Sequence, residues 1–159
     1  MKRLMGWTLK ALLVLGVIAG IRMIFVPEDA AKRKASEAHK AATMQLARSA
    51  IASLRMVPEW RSIEINEADD RDFSFTLDYR EYPSGGLAEV ESDTKLIARA
   101  TLAALINSGH QPAKEYISVF VFAQQSGLKG ETGVELVRLI GHTSYDYGDD
   151  SLVFKPYKN

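Results

Sequence analysis

The 159-residue chain contains no cysteine, which excludes disulfide bonds, thiolate catalysis, iron–sulfur clusters and lipid attachment through a cysteine. It also lacks the common motifs of enzymes: a glycine-rich phosphate loop, a dinucleotide fingerprint, a G-x-S-x-G elbow and an H-E-x-x-H helix. Its three histidines, His39, His110 and His142, are far apart in sequence. These absences favour a protein without catalytic activity, and they give no reason to expect a cofactor.

The chain also has no net charge, but this zero is the average of two opposite parts. Residues 1–57 hold ten Lys and Arg against three Asp and Glu, whereas residues 58–159 hold ten against seventeen. A basic amino-terminal third joined to an acidic part is typical of a membrane-proximal segment followed by a globular domain. The net charge of −7 on the second part would repel phosphate, so no nucleic-acid partner is expected.

A long apolar segment, WTLKALLVLGVIAGIRMIFV, occupies residues 7–26. As a helix it would span about 30 Å, the thickness of one hydrocarbon core. Lys10 and Arg22 lie close enough to its ends for their charges to reach the head groups, and Trp7 stands at an interfacial position. The segment predicts an uncleaved membrane anchor within residues 1–27.

A cleaved signal peptide is the main alternative, because a basic start precedes an apolar centre and a small-x-small pattern at Val17-Ile18-Ala19. Cleavage there would leave an apolar new terminus, GIRMIFVP, in water. With an anchor, the short basic tail is expected to stay in the cytoplasm. The expected location is therefore the inner membrane, crossed once, with the following domain in the periplasm.

The start of this segment also resembles a family. Gly6, Trp7, Thr8 and Leu9, followed by an apolar helix and by Pro27, resemble the amino terminus of a type IV pilin or pseudopilin. The sequence departs from that family at Ala11, where a pilin carries an acidic residue, and in the charges of Lys10 and Arg22. The resemblance covers about twenty residues and implies cleavage after Gly6 and a helix that continues through Pro27.

Gly16 and Gly20 form a G-x-x-x-G element inside the apolar segment. Two glycines one turn apart allow two membrane helices to approach closely and to gain packing that lipid tails do not provide. These two residues are the candidate site for helix packing in the membrane, and they predict a homo-oligomer in contact with lipid.

Residues 28–57 predict a long juxtamembrane helix, because they are rich in Ala, Lys, Arg, Glu and Met and contain no Gly or Pro. The first half offers only a seam of small side chains at Ala31, Ala35, Ala38 and Ala42. The second half places Met44, Ala47, Ile51 and Leu54 on one face. The second half is therefore expected to pack on the domain that follows, and the first half to act as a stalk.

Residues 58–159 predict an α+β domain. Strict alternation from Phe73 to Tyr79 indicates a strand with one wet face, and hence an antiparallel sheet. A helix is expected over residues 93–107, capped by Ser92 or Asp93. Further strands are expected around 63–65, at 116–123 in the centre, at 134–140 with an extension to 145, and at 152–154. The predicted order is β-β-α-β-β-β, with the helices on one face.

Two groups of polar residues are candidate sites. His142 lies near Ser144, Tyr145 and Asp146, but neighbouring strand residues point to opposite faces and need not converge. Carboxylates also crowd two turns and could supply calcium ligands, although Asp and Gly are the ordinary residues of tight turns. No catalytic, cofactor-binding or metal-ligating residue is predicted. The acidic residues concerned are Glu67, Asp69, Asp70, Asp72, Asp146, Asp149 and Asp150.

These features predict a membrane-anchored envelope protein that works by contacts with other envelope proteins, as an accessory subunit of a secretion or conjugation-type assembly. The analogy is one of architecture. A small envelope hydrolase or ligand-binding domain is the first alternative and would need a pocket with converging polar groups. A pilin-like subunit is the second.

Overall fold

The computed structural model describes residues 30–54 and 60–158. The apolar segment 7–26, with Gly16 and Gly20, lies outside the described residues, as do residues 28–29 and 55–57 of the predicted juxtamembrane helix. Among the helices that are described, none has the length and apolar character needed to cross a membrane. The contacts between residues divide the chain into two compact units, residues 1–39 and residues 40–159.

The described residues form an α+β fold. Helix α1 covers residues 30–52, helix α2 Gly86–Asn107 and the one-turn helix α3 Pro112–Glu115. The strands are β1 (Trp60–Ala68), β2 (Asp72–Tyr79), β3 (Ser118–Lys129), β4 (Glu135–Asp146) and β5 (Ser151–Pro156). The order after α1 is β-β-α-α-β-β-β, which differs from the predicted order by the short α3.

The five strands lie side by side in the order of the sequence, from β1 to β5. The prediction of a purely antiparallel sheet is wrong: β2 and β3 pair in parallel, while the other three pairs are antiparallel. The physical reason is the connection, because α2 and α3 carry the chain from the end of β2 back to the end at which β2 began. The central position predicted for residues 116–123 is confirmed, since β3 has two strands on each side.

Helix α2 begins at Gly86, one and a half turns or more before the predicted cap at Ser92 or Asp93. The Glu89 carboxylate accepts a hydrogen bond from the backbone N–H of Gly85 at 2.7 Å, which closes the first turn. Asp93 instead accepts a hydrogen bond from the hydroxyl of Tyr79 at 2.8 Å. The predicted capping residue therefore ties the helix to the end of β2.

The core lies on one face of the sheet, beneath α2. Every second residue is buried there from Phe73 to Tyr79 of β2 and from Val119 to Gln125 of β3, which confirms the alternation seen in the β2 sequence. Burying each large apolar side chain contributes about 1.5–3 kcal/mol. The buried residues of the two strands and of α2 include Phe73, Phe75, Leu77, Tyr79, Val119, Val121, Ala123, Val90, Ile97, Ala98 and Leu105.

The second half of α1 covers the same face of the sheet beside α2. Thr43 Oγ1 donates a hydrogen bond to the carbonyl of Ala68 at 3.0 Å, and Ala47 is fully buried. Met44 and Ile51 pack against the core with Ile63 and Ile65 of β1. Residues 30–42 are exposed throughout. The structure therefore confirms the packing on the domain that the apolar spacing of the second half of α1 predicts.

Thr94 of α2 and Thr143 of β4 connect helix and sheet inside the core. Both side chains are fully buried, and their hydroxyl oxygens lie 2.7 Å apart. Thr94 Oγ1 also donates to the carbonyl of Val90 at 2.8 Å. A buried hydroxyl that loses its partner carries a desolvation cost of about 1–3 kcal/mol.

We therefore expect Thr94→Val to lower the free energy of unfolding by about 1–3 kcal/mol, because it leaves the Thr143 hydroxyl buried without its partner. Thr94→Val with Thr143→Val should cost less than the sum of the two single substitutions, since no orphaned hydroxyl remains. Urea denaturation of the natural chain and of the three variants measures the coupling. Strict additivity would show that the two hydroxyls do not depend on each other.

Candidate functional site

The structure does not bring the residues around His142 into one constellation. His142 and Ser144 point to the face of the sheet opposite the helices, whereas Tyr145 points to the helix side and donates a hydrogen bond to Asp150. Asp146 ends the strand and accepts a hydrogen bond from the N–H of Gly148 at 2.9 Å. His142 and Tyr145 thus point to opposite faces, as the alternation of a strand predicts.

His142 itself sits among aromatic rings. Its ring lies 5.9 Å from that of Phe122 and 5.4 Å from that of Tyr157. Its Nδ1 atom is buried and has no hydrogen-bond partner among the described residues. Burial, followed by the charge of Lys155, lowers the pKa of His142. The imidazole is therefore neutral near pH 7 and acts as one member of an aromatic cluster.

Carboxylates of the two acidic turns accept hydrogen bonds from groups in or beside the same turns. Asp69 accepts hydrogen bonds from the N–H groups of Arg71 and Asp72, at 3.1 and 3.0 Å, and so shapes the connection from β1 to β2. Asp150 adopts a left-handed backbone, with φ of 49°, and its carboxylate raises the pKa of Tyr145, after burial, to about 12. Nowhere in residues 30–54 and 60–158 do three or more His, Asp or Glu side chains gather as metal ligands would.

A cavity of about 280 Å³ lies between the end of α2, helix α3 and the β4–β5 turn. Three of the polar residues that line it already have hydrogen-bond partners: His110, Tyr145 and Asp150. His110 Nδ1 lies 2.8 Å from a Glu115 oxygen, and this hydrogen bond is the main cause of the lowered pKa of Glu115. Asp150 accepts from Tyr145 at the opposite end. The lining of the cavity is mainly apolar, and these three polar residues are engaged with their neighbours.

Sequence reasoning missed a projecting ribbon formed by β3 and β4. The last residue of β3 that pairs with β2 is Gln125, and β5 pairs with β4 no further than Gly141. Leu128 and Leu136 still pair beyond those points. Residues 126–139, called the ribbon here, thus extend past both neighbouring strands.

The ribbon carries a concentration of exposed aliphatic side chains. Val134, Leu136, Val137 and Leu139 are between 49% and 59% exposed. A groove of about 540 Å³ runs along it, lined by ribbon residues together with Tyr157 and Lys158. The apolar run at 134–140 signals a strand, but it does not reveal that the neighbouring strands end before it does.

The second surface is the face of the sheet opposite the helices, called the open face here. The sequence predicts that one face of the sheet is wet, but it does not show which residues become neighbours on that face. Five residues follow one another across all five strands in register on it, one from each strand. This cross-strand row begins with an acid at the β1 edge, has two rings in the middle and ends with a base at the β5 edge. Its members are Glu64, Thr76, Phe122, His142 and Lys155.

Comparisons with protein-family models, with curated proteins and with solved structures find no match for this chain. The ribbon and the open face both present grouped apolar side chains to solvent. The groove along the ribbon is open to solvent, and exposed apolar surfaces of this kind suit contact with another protein better than enclosure of a small molecule.

The lowered pKa of His142 predicts a loss of stability on the acid side. As pH falls, the unfolded chain binds a proton near pH 6.5, before the folded chain does, so the free energy of unfolding decreases from about pH 6.5 down through the lowered pKa. His142→Phe should remove this part of the pH dependence, and the control His39→Gln should keep it. Urea titrations at several pH values measure it; identical profiles for the natural chain and His142→Phe would contradict the prediction.

Proposed function

We propose that this chain is a single-pass membrane-anchored envelope protein whose α+β domain binds other envelope proteins through the ribbon. The observation that carries the proposal is the exposed aliphatic cluster of the ribbon, beyond the ends of β2 and β5. The apolar segment 7–26 supports the anchor. An accessory role in a secretion or conjugation-type assembly fits this architecture.

The ribbon has the composition of a protein-binding surface. A contiguous exposed apolar patch is uncommon on monomeric proteins and marks an interaction site. Charged residues of both signs, Lys129, Glu131, Glu135 and Arg138, surround the aliphatic side chains. An apolar centre with a mixed polar rim is the usual anatomy of a protein–protein interface.

The outer part of the ribbon has only its own two strands to stabilise it, so a bound partner would add stability. A two-stranded ribbon on its own is marginally stable in water. Its base is anchored, because the Arg138 guanidinium lies 5.2 Å from the centre of the Tyr82 ring in a cation–π contact. A partner that covers the aliphatic side chains would stabilise the outer part.

The exposed first half of α1 supports a spacer role. Residues 30–42 contribute no buried side chain, and their alanine-rich, charged composition favours helix without tertiary contacts. Such a segment suits a stalk between a membrane anchor and a domain.

The proposed topology predicts the behaviour of reporter fusions. A periplasmic phosphatase fused after Asn159 should be active, and a cytoplasmic fluorophore at the same position should be silent, because the short basic tail keeps the amino terminus inside. The measurement is reporter activity in whole cells, with membrane fractionation as the control for anchoring. The opposite pattern would overturn the topology.

Site-specific photo-crosslinking tests the ribbon. A photoreactive residue at Val137 of the full chain in cells should form a discrete adduct with one envelope protein. The matched control is Leu96 of α2, which is exposed to a similar degree but lies away from the ribbon. Leu139→Asp should abolish the Val137 adduct, because it introduces a charge into the apolar contact. Equal adducts at Val137 and Leu96, or an adduct indifferent to Leu139→Asp, would contradict the proposal.

A further inference from the structure

The open face carries opposite charges at its two edges, and these charges do not pair within one chain. Glu64 lies on the edge strand β1 and Lys155 on the opposite edge strand β5, and both are exposed. Four strand spacings, about 19 Å, separate the two positions, so they do not pair within one chain. Neither residue forms an ion pair with another described residue.

The middle of the open face is apolar. Phe120 and Phe122 point away from the helices, with their rings stacked 6.3 Å apart, and Phe120 is 38% exposed. The neighbouring strands add His142 from β4 and Val153 from β5 to the same face. An acid at one edge, rings in the centre and a base at the other edge make a pattern that is complementary to its own reversed copy.

We propose that two copies of this chain form a twofold-symmetric dimer through their open faces. In this dimer Glu64 of each copy pairs with Lys155 of the second copy, and the Phe120–Phe122 pair meets its counterpart near the axis. The proposal does not rest on the ribbon, on the membrane anchor or on Gly16 and Gly20.

The edge charges favour one of the two ways in which two such faces could stack. An axis parallel to β3 places β1 of one copy over β5 of the other, so acid meets base at both edges. An axis across the strands would place β1 over β1 and bring Glu64 against its own counterpart. Like charges at a desolvated contact are unfavourable, so complementarity selects the first arrangement.

The geometry of sheet packing is compatible with this contact. Two sheets stack face to face at about 10 Å, with side chains of the inner faces interdigitating. Glu and Lys side chains extending from facing positions reach each other across that distance. An anionic lipid surface or a nucleic acid fits less well as the occupant, because the Glu64 side of the face is acidic.

Charge reversal on the full chain in detergent micelles tests the pairing. Glu64→Lys and Lys155→Glu should each raise the dissociation constant of the dimer at least tenfold, because each places like charges at both edges. Glu64→Lys combined with Lys155→Glu should restore dimerisation to within about threefold of the natural chain. Lys114→Glu on α3 and Glu37→Lys on the exposed half of α1 make the same changes in net charge elsewhere and should leave the dimer unchanged. Sedimentation velocity gives the constants.

The absence of cysteine from the chain allows a second, geometric test. Copies with Glu64→Cys mixed with copies carrying Lys155→Cys should be joined by a bismaleimide that spans about 10 Å, whereas each variant alone should not crosslink. Crosslinking of Glu64→Cys to itself would overturn the proposed axis. A monomeric natural chain, or a dimer that survives both single reversals, would overturn the open-face interface, and failure of the double reversal to restore the dimer would overturn the Glu64–Lys155 pairing.

Discussion

The packing of α2 on β2 and β3 is the constraint on which the rest of the structure depends. Tyr79, buried at the end of β2, donates a hydrogen bond to Asp93 of α2. Burial and the Asp93 carboxylate raise the pKa of Tyr79 far above its usual range, so the hydroxyl keeps its proton and the link persists. This link fixes the start of the helical connection that returns the chain to the beginning of the sheet.

That connection explains both candidate surfaces. Because α2 carries the chain back across the sheet, β3 enters beside β2 in parallel and becomes the central strand. One side of β3 is covered by α2, and Phe120 and Phe122 are left on the other side. The hairpin from β3 to β4 then continues past the ends of β2 and β5, and its aliphatic side chains have no neighbouring strand to cover them.

Much of the fold could be predicted from local pattern. The alternation from Phe73 to Tyr79 indicates a strand with one buried face, and the apolar run of residues 116–123 indicates the central strand. The antiparallel sheet and the helix start at Asp93 were wrong for one reason: both depend on where the chain goes between β2 and β3. Asp93 is a good capping residue in isolation, but Tyr79 engages its carboxylate, and Glu89 closes the first turn instead.

The sequence by itself determined the class of elements, the face that each buries and the division of α1 into an exposed and a packed half, because these follow from the periods of helix and strand. The same alternation predicts that His142 and Tyr145 point to opposite faces of the sheet. Only the tertiary structure decided the strand pairing, the reach of the ribbon and the row from Glu64 to Lys155. Those depend on which strands pair and in which register: Glu64 and Lys155 are 91 positions apart in sequence, and four successive strand registers place them in one row. Local periodicity carries no information about which strands become neighbours. The charge pattern of a face arises only when those strands pair side by side in the sheet.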